Sequence, residues 1–368
     1  MPESDHTGAV LTIDLNAIVA NWLLLRGMLA GAECAAVVKA DAYGLGADRV
    51  APALARAGCK TFFVAHVGEG VAVRRVLPNA TIHVLNGPVP GSGKTLIDHQ
   101  LVPVLNSLGD IESWGDLART HGAPLTADVH IDTGMARLGL PPDETETLIR
   151  EPERLDGIKL TFLMSHLACA DEADHPLNHQ QLTDFLRVRQ PFKDVHASFA
   201  NSSGIFLGPE YHFDLARPGV ALYGVGPRPG ETNPMAQVVR LQGKILQVRD
   251  VDRPQTVGYG ASHRVVRRGR VATVGVGYAD GYLRSLSNSG NGYIEDIRVP
   301  IVGRVSMDLI TLDVSDVPVD AACPGALVDL IGPHNPVDTV AAEAGTIGYE
   351  ILTGLGSRYH RVYLDSAD

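Results

Sequence analysis

The sequence has no excess of positive charge, no long apolar run and no paired cysteines, and each absence removes a class of function. Its 368 residues carry 31 lysines and arginines against 42 aspartates and glutamates, a formal net charge of -11. That balance leaves no electrostatic footprint for nucleic acid or an anionic membrane, and mainly favours solubility. No apolar stretch approaches the roughly 20 residues that a membrane-spanning helix needs. The N-terminus, MPESDHTG, is polar and lacks the charged start and apolar run of a secretory signal. The four cysteines, Cys34, Cys59, Cys169 and Cys323, are far apart and form no C-x-x-C pair. Neither a zinc site nor a disulfide framework is expected, and no metal. The reading is a cytoplasmic protein with reduced thiols, without internal repeats or low-complexity tracts.

The length predicts about two domains, each able to bury a core. From Leu23 to about Gly226, short β-rich runs alternate with helical patterns. The expected strands are AAVV, TFFVAH, TIHVLN, LVPVLN, TADVHID, TFLMSHL, HASFAN and the pair FDLARP with VALYG. Between them, VGEGVAVRRVL, IESWGDLARTHG and HQQLTDFLRVRQ place apolar residues at helical spacing. About eight such units predict an α/β fold, an N-terminal (β/α)8 TIM barrel over residues 12–230, with a doubly wound open sheet as the competing topology. After the Gly/Pro-rich connector GPRPGETNP the helical period almost vanishes, and residues 236–368 read as a C-terminal mainly β domain. One short helix, TVAAEAGTIGYEIL, and a final strand, RVYL, would close it. The first N-terminal strand is a candidate addition to that domain.

The chain is organised around AVVKADAYGLG, residues 36–46. A buried strand delivers Lys39, and the chain then turns through Tyr43, Gly44 and Gly46 into a helix. That places Lys39 at the C-terminal end of a β/α unit, where such folds gather their catalytic groups. An amine there can form a Schiff base with a carbonyl compound or cofactor, and a nonpolar wall would keep some of it neutral. An ordinary surface lysine at a strand end is the alternative. Farther on, HIDTGMARLGL (130–140) presents Arg137, able to hold a carboxylate through two hydrogen bonds or to form a structural salt bridge. MSHLACADEADHP (164–176) puts His166 at a strand end, where hydrogen-bonded core histidines are common. HASFANSSGIF (196–206) and ARPGVALYG (216–224) offer small hydroxyl residues and glycines whose amides can approach an anion closely, or simply turn. TVGYGASHR (256–264) contains Tyr259, which reads by itself as a tyrosine in a β-turn.

AVVKADAYGLG strongly resembles the pyridoxal-phosphate lysine segment of the alanine racemases. The segments just quoted match that family in the same order, joined by GYADGYLR (277–284), VGRVSMDLI (302–310) and IGYE (347–350). The resemblance implies the barrel, the β domain, pyridoxal 5'-phosphate as cofactor, and interconversion of L- and D-alanine to supply D-alanine for peptidoglycan. It implies that Lys39 holds the cofactor and exchanges the proton of the D-enantiomer, while Tyr259 of a partner subunit serves the L-enantiomer, since one base reaches only one face of Cα. A tyrosine ordinarily ionises near about 10 and needs help, for which Arg284 or an oriented His166 is expected. By the same resemblance Tyr43, Ser202, Gly219, Val220 and Tyr349 bind the cofactor phosphate, and His166 packs against its ring. Arg217 faces the pyridine nitrogen, where a permanent cation disfavours protonation and weakens the ring as an electron sink. Arg137, Met307 and Tyr278 border the substrate. The working unit is a homodimer with shared active sites.

One departure stands out: where many members carry a carbamylated lysine two residues before the aspartate, this chain has His130. An anion or a different network is expected to hold Arg137. Two further segments imitate nucleotide sites without meeting their requirements. GSGKT (91–95) ends like a phosphate loop but has Pro88 where glycine is required, and the glycines of VGVGYADG have the wrong spacing for a dinucleotide fingerprint.

Overall fold

The computed structural model describes residues 6–365. They divide into two units: one comprises Ile18–Leu222 with Gly226–Met235, the other the residues up to Ala17, Tyr223–Val225 and the chain from Ala236 on.

In the first unit, parallel strands pair in the order Ala36–Val37, Thr61–Val64, Thr81–Val84, Val102–Leu105, Leu125–His130, Ile158–Met164, His196–Ser198 and Leu215–Ala216. The ring is joined by its first strand, which is broken at Ala35. Its later half pairs with Phe62 and Phe63, while its earlier half, Glu33–Cys34, pairs with Leu215–Ala216. This join decides for a barrel over an open doubly wound sheet. Thr61–Val64 and Val102–Leu105 are buried at every residue. That is why they read as unbroken apolar runs: a strand covered on both faces has no polar side to alternate with. The segment VALYG, expected as a strand, is a 3₁₀ turn at Val220–Tyr223. Pro218 just before it has no N–H to give to a ladder, and Leu222 N instead bonds to Gly219 O at 2.9 Å.

Between the first strand and the helix Ala47–Arg56 the backbone does something that the sequence did not announce. Ala40, Asp41, Ala42 and Tyr43 all have φ between 51 and 56, forming one left-handed turn. Left-handed helical geometry costs roughly 1–2 kcal/mol per L-residue, so four in succession require compensation. Glu69, in the first turn of the helix Val67–Val76, supplies much of it. Its Oε1 accepts from Ala40 N at 2.7 Å, and its Oε2 accepts from Ala65 N at 2.7 Å and His66 N at 3.1 Å. Asp41 Oδ1 accepts from Ala47 N at 2.7 Å, tying the turn to the next helix. Burial of Ala42 and Tyr43 adds to these bonds.

The second unit is mainly β. Its spine is the strand Val239–Val251, which pairs antiparallel with Ala9–Asp14, Leu327–Ile331 and Gly269–Val274. Ala9–Asp14 in turn pairs parallel with His360–Leu364, so the first and last strands of the chain lie side by side. A hairpin, Asn291–Ile294 with Ile297–Pro300, extends one edge. The single helix expected near the C-terminus is two, Val337–Ala344 and Gly348–Gly354. Gly345, at φ 71, ends the first in a left-handed cap. Among the described residues, no helix is long and apolar enough to cross a membrane.

Replacing Glu69 by alanine strips the left-handed turn of its charged acceptor while three amides lose a partner. Hydrogen bonds to charged groups contribute about 1.5–3 kcal/mol each; with water replacing some, we expect a loss of about 2–4 kcal/mol in urea unfolding. A change below about 0.5 kcal/mol would mean that the turn is held by burial of Tyr43 alone.

Candidate active site

At the C-terminal ends of the barrel strands, Lys39 emerges half-buried at the start of the left-handed turn. Loss of hydration lowers the proton affinity of its amine, the positive charge of Arg137 lowers it further, and Glu69 opposes both. On the adjoining strand end, just after Leu215–Ala216, Arg217 is 4% exposed. Its guanidinium donates to Ser198 Oγ, to Ser165 O at 2.7 Å and to Phe199 O at 3.4 Å. Burial pushes its pKa down to about 10, with Asp128 pulling the other way, so it remains a cation at neutral pH. Nη2 of Arg217 also lies 3.4 Å from His166 Nδ1. Since a guanidinium can only donate, His166 accepts at Nδ1 and carries its proton on Nε2. Loss of hydration, followed by the charge of Arg217, holds His166 well below the usual histidine range and therefore neutral.

Around the loop after Ala216 the backbone makes a close cradle. Ser202 Oγ accepts from Gly219 N at 2.9 Å and Ala221 N at 3.3 Å, which leaves its hydroxyl proton to donate elsewhere. Gly219 is required by space: a Cβ there would lie 2.3 Å from Tyr43 Oη and 3.5 Å from Val37 Cβ. Val220 opens the 3₁₀ turn, so its N–H has no partner within that turn. A buried hydroxyl and a turn amide are groups of the kind that can hold an anion.

His130 bonds to Asn106 and not to Arg137. Its Nδ1 lies 2.8 Å from Asn106 Oδ1, and Asn106 Nδ2 is itself anchored on Val104 O at 2.9 Å and Leu85 O at 3.2 Å. Asn106 therefore presents an acceptor, and His130 donates to it from Nδ1. Loss of hydration, then Arg217, lowers the His130 pKa to about 4. Arg137 itself is exposed, on a loop whose shape is set by Asp132. Both carboxylate oxygens of Asp132 accept from Ala136 N, and Oδ1 also accepts from Gly134 N and Met135 N at 2.9 Å.

The second unit carries its own polar group. Tyr259 is 73% exposed in a turn flanked by Gly258 and Gly260. The cation against this turn is Arg304, whose Cζ would be 3.0 Å from a Cβ on Gly260; no bond joins Arg284 to Tyr259. Tyr278 and Met307 are held together by backbone bonds, Tyr278 N to Ser306 O at 3.0 Å and Ala279 N to Met307 O at 2.9 Å. Arg358 fastens both segments, pairing with Asp280 at 2.9 Å and Asp308 at 2.7 Å. Tyr349 sits in the first turn of Gly348–Gly354 and is half-exposed.

Family models for the N-terminal domain of alanine racemase match residues 13–227, and those for its C-terminal domain match residues 238–363. The chain belongs to the alanine racemase family. It is 53% identical to an alanine racemase of Rhodospirillum rubrum over 99% of this chain and 98% of the relative. A catabolic alanine racemase of Agrobacterium fabrum is 51% identical over 96% and 92%. Among solved structures, the alanine racemase of Bartonella henselae with covalently bound pyridoxal phosphate superimposes with a TM-score of 0.94 at 43% identity, covering 97% of this chain and 99% of that one. The biosynthetic alanine racemase of Pseudomonas aeruginosa gives 0.90 at 35%, covering 98% and 100%.

Within this alanine racemase fold, the barrel gathers Lys39, Tyr43, His166, Ser202, Arg217, Gly219 and Val220, with Arg137 on the rim. Tyr259, Tyr278, Met307 and Tyr349 lie on the other unit. Glu69, Asn106, Asp128 and Arg304 escaped the sequence reading, because each acts on a residue far off in the chain. Only Glu69 left a trace, an acidic residue in the first turn of VGEGVAVRRVL.

His130 also gives a pH dependence with a definite sign. Unfolded, it binds a proton near its ordinary value of 6.5; folded, only near about 4. Between those values the unfolded chain holds more protons, so stability falls as pH drops through this window. His130→Asn is expected to flatten that part of the urea-midpoint profile between about pH 6.5 and 4. An unchanged slope would show that His130 is not the titrating group.

Proposed function

We propose that this protein is a pyridoxal-phosphate enzyme that racemises alanine, with Lys39 and Tyr259 exchanging protons on opposite faces of Cα. The observation that carries the reading is the Lys39 amine, its proton affinity lowered at the C-terminal end of a barrel strand whose neighbour ends in the buried Arg217 cation. The residues fit the cofactor. Lys39 would hold its aldehyde carbon, and the Ser202 hydroxyl, the Val220 amide and Tyr43 would hold its phosphate at the close approach that Gly219 alone permits. The Gly219 amide, occupied by Ser202, acts through that hydroxyl, and the family resemblance assigns Tyr349 to the phosphate as well. When bound, pyridoxal phosphate supplies an electron sink that acidifies the Cα–H of the attached amino acid.

The chain's own groups then divide the work. Lowered proton affinity leaves part of Lys39 as a free amine, which takes the Cα proton of the D-enantiomer. Tyr259 of a partner subunit returns or removes the proton on the opposite face, with Arg304 as the cation beside its turn. Arg217, kept charged, would face the pyridine nitrogen and oppose its protonation, which would favour simple proton exchange over decarboxylation or transamination. Neutral His166, its tautomer fixed by Arg217, would pack on the ring. Arg137 binds the substrate carboxylate, and Tyr278 and Met307 narrow the pocket to a methyl side chain.

The dimer belongs to the same proposal. Tyr259, Tyr278, Met307 and Tyr349 are 73%, 43%, 54% and 41% exposed in the single chain. Such a set becomes functional when a second copy covers it. We place the enzyme in the cytoplasm, consistent with four free cysteines, and assign it the supply of D-alanine for peptidoglycan. The named relatives include both biosynthetic and catabolic enzymes. Deleting the gene should make growth depend on added D-alanine; unimpaired growth with a selective loss of growth on alanine would assign the catabolic role instead.

In heavy water, the cofactor-loaded protein should convert L-alanine to D-alanine carrying deuterium at Cα, much faster than it acts on L-serine or L-lysine. Lys39→Ala should abolish turnover, and Tyr259→Phe should slow exchange with the L-enantiomer most, by roughly 10²–10⁴-fold. Mixed dimers of the two variants should regain activity, because one of their two sites keeps both intact residues. Small, equal losses in both variants, or mixtures as inactive as their parents, would overturn the two-base, shared-site assignment.

A further inference from the structure

Deep in the barrel lies a polar group that the mechanism does not use. Asp128 is 0% exposed and His83 1%. The pairing of Leu125–His130 with Ile158–Met164 slips between Ala127 and Val129, so the ladder is interrupted at Asp128. The side chain takes over what the ladder drops: Asp128 Oδ1 accepts from Phe162 N at 3.1 Å and from Thr161 Oγ1 at 2.6 Å. Oδ2 lies 2.5 Å from His83 Nδ1. The far nitrogen of that ring, Nε2, is buried with no hydrogen-bond partner. His83 stacks on Phe63, its register neighbour, with centroids 4.6 Å apart and planes at 17°. Arg217 Cζ is 6.0 Å from the same Phe63 ring.

The orphan nitrogen decides where the charges are. A protonated His83 would bury an N–H at Nε2 with nothing to receive it, beside its own positive charge. A neutral ring with its proton on Nδ1 donates that N–H in a hydrogen bond to Asp128 and leaves only a lone pair unmet, the smaller cost. Asp128 is then a full carboxylate, satisfied by three donors but not neutralised by them. The guanidinium of Arg217 needs an opposite charge, and its direct partners, Ser198, Ser165 O, Phe199 O and neutral His166, provide none. Neutral His130 adds none, and Asp132 directs its carboxylate to the amides of its own loop. We propose that Asp128, held ionised by an uncharged His83, is the buried counter-charge of Arg217 and positions the cation that governs the choice of reaction. Its attraction also opposes the desolvation that would otherwise weaken the hold of Arg217 on its proton. The functional half of this proposal rests on the racemase reading; the charge pairing does not.

The test is a double-mutant cycle on the full chain in excess pyridoxal phosphate, with Asp128→Asn, Arg217→Met and both together. Urea midpoints give the coupling. Asp128→Asn should lower the midpoint strongly beside Arg217 and much less beside methionine. In the Asp128→Asn protein, the pH titration of the bound cofactor's visible absorbance should shift, and kcat for alanine should fall tenfold or more with KM little changed. Equal midpoint losses in both backgrounds would overturn the proposal, leaving Asp128 as a partner of His83 and Thr161 only; so would an unshifted absorbance titration. If a variant fails to fold, nitrogen NMR of the wild-type histidines decides: His83 should be neutral with its proton on Nδ1 near about pH 7.5, and a doubly protonated ring would overturn the pairing. A failed racemase reading shows separately, as wild-type protein that does not racemise alanine while the unfolding cycle still reports coupling.

Discussion

The guanidinium of Arg217 is the most demanding group in the barrel, because it carries a permanent charge where water cannot follow. A buried ion costs several kcal/mol unless hydrogen bonds and an opposite charge meet it. The surroundings are arranged accordingly. Ser165 and Phe199 turn carbonyl oxygens inward from successive strand ends, Ser198 adds a hydroxyl, and His166 gives up one nitrogen lone pair. That last contact fixes the tautomer of His166, and the same positive charge helps to keep both His166 and His130 neutral. Burial is the first cause of their neutrality, and this one arginine reinforces it at both imidazoles.

Lys39 depends on a second constraint, the left-handed turn that follows it. A right-handed continuation would carry Ala40 to Tyr43 along another path, whereas the observed turn buries Tyr43 and brings its hydroxyl against Gly219. Tyr43 thereby joins the first loop of the barrel to the last. The unfavourable backbone is sustained from outside itself, by Glu69 from the next helix and Asp41 from within. Strain at a functional position, held by a neighbouring element, is a recurring way to fix a reactive group.

How much of this could be read from the chain follows from the range of each interaction. Lys39, Arg217 and Tyr259 sit in local segments long enough to be matched as written, and the alternation of strand and helix predicted the barrel. The pairs that tune those residues lie far apart in sequence: Glu69 is 29 residues from Ala40, Asn106 is 24 from His130, and Asp128 is 45 from His83. No spacing rule connects them, since the register of a closed barrel brings them together. The left-handed turn was hidden for a different reason. Two alanines, an aspartate and a tyrosine give no backbone signal of the kind that glycine gives. Gly345 was such a signal, but the apolar pattern on either side of it read as one helix; its left-handed φ divides the segment into two. Proline in ARPGVALYG had a similar meaning, marking a turn where the apolar letters alone suggested a strand.

With Tyr259 as the proposed second base, its exposure would connect catalysis with association. Proton transfer at Cα needs a site from which bulk water is excluded, or hydration screens the charges that steer it. With Tyr259, Tyr278, Met307 and Tyr349 all more than 40% exposed, the β unit by itself offers no such enclosure. Yet its backbone is not loosely held: Arg358 joins the segments of Tyr278 and Met307 through two carboxylates, and Arg304 lies against the tyrosine turn. A rigid presentation of exposed aromatic and thioether side chains loses little conformational entropy when covered. On the reading proposed here, the same contact that buries this surface completes the second proton-transfer face. Dilution below the dimer dissociation constant would then remove activity in step with the dimer, without unfolding either unit.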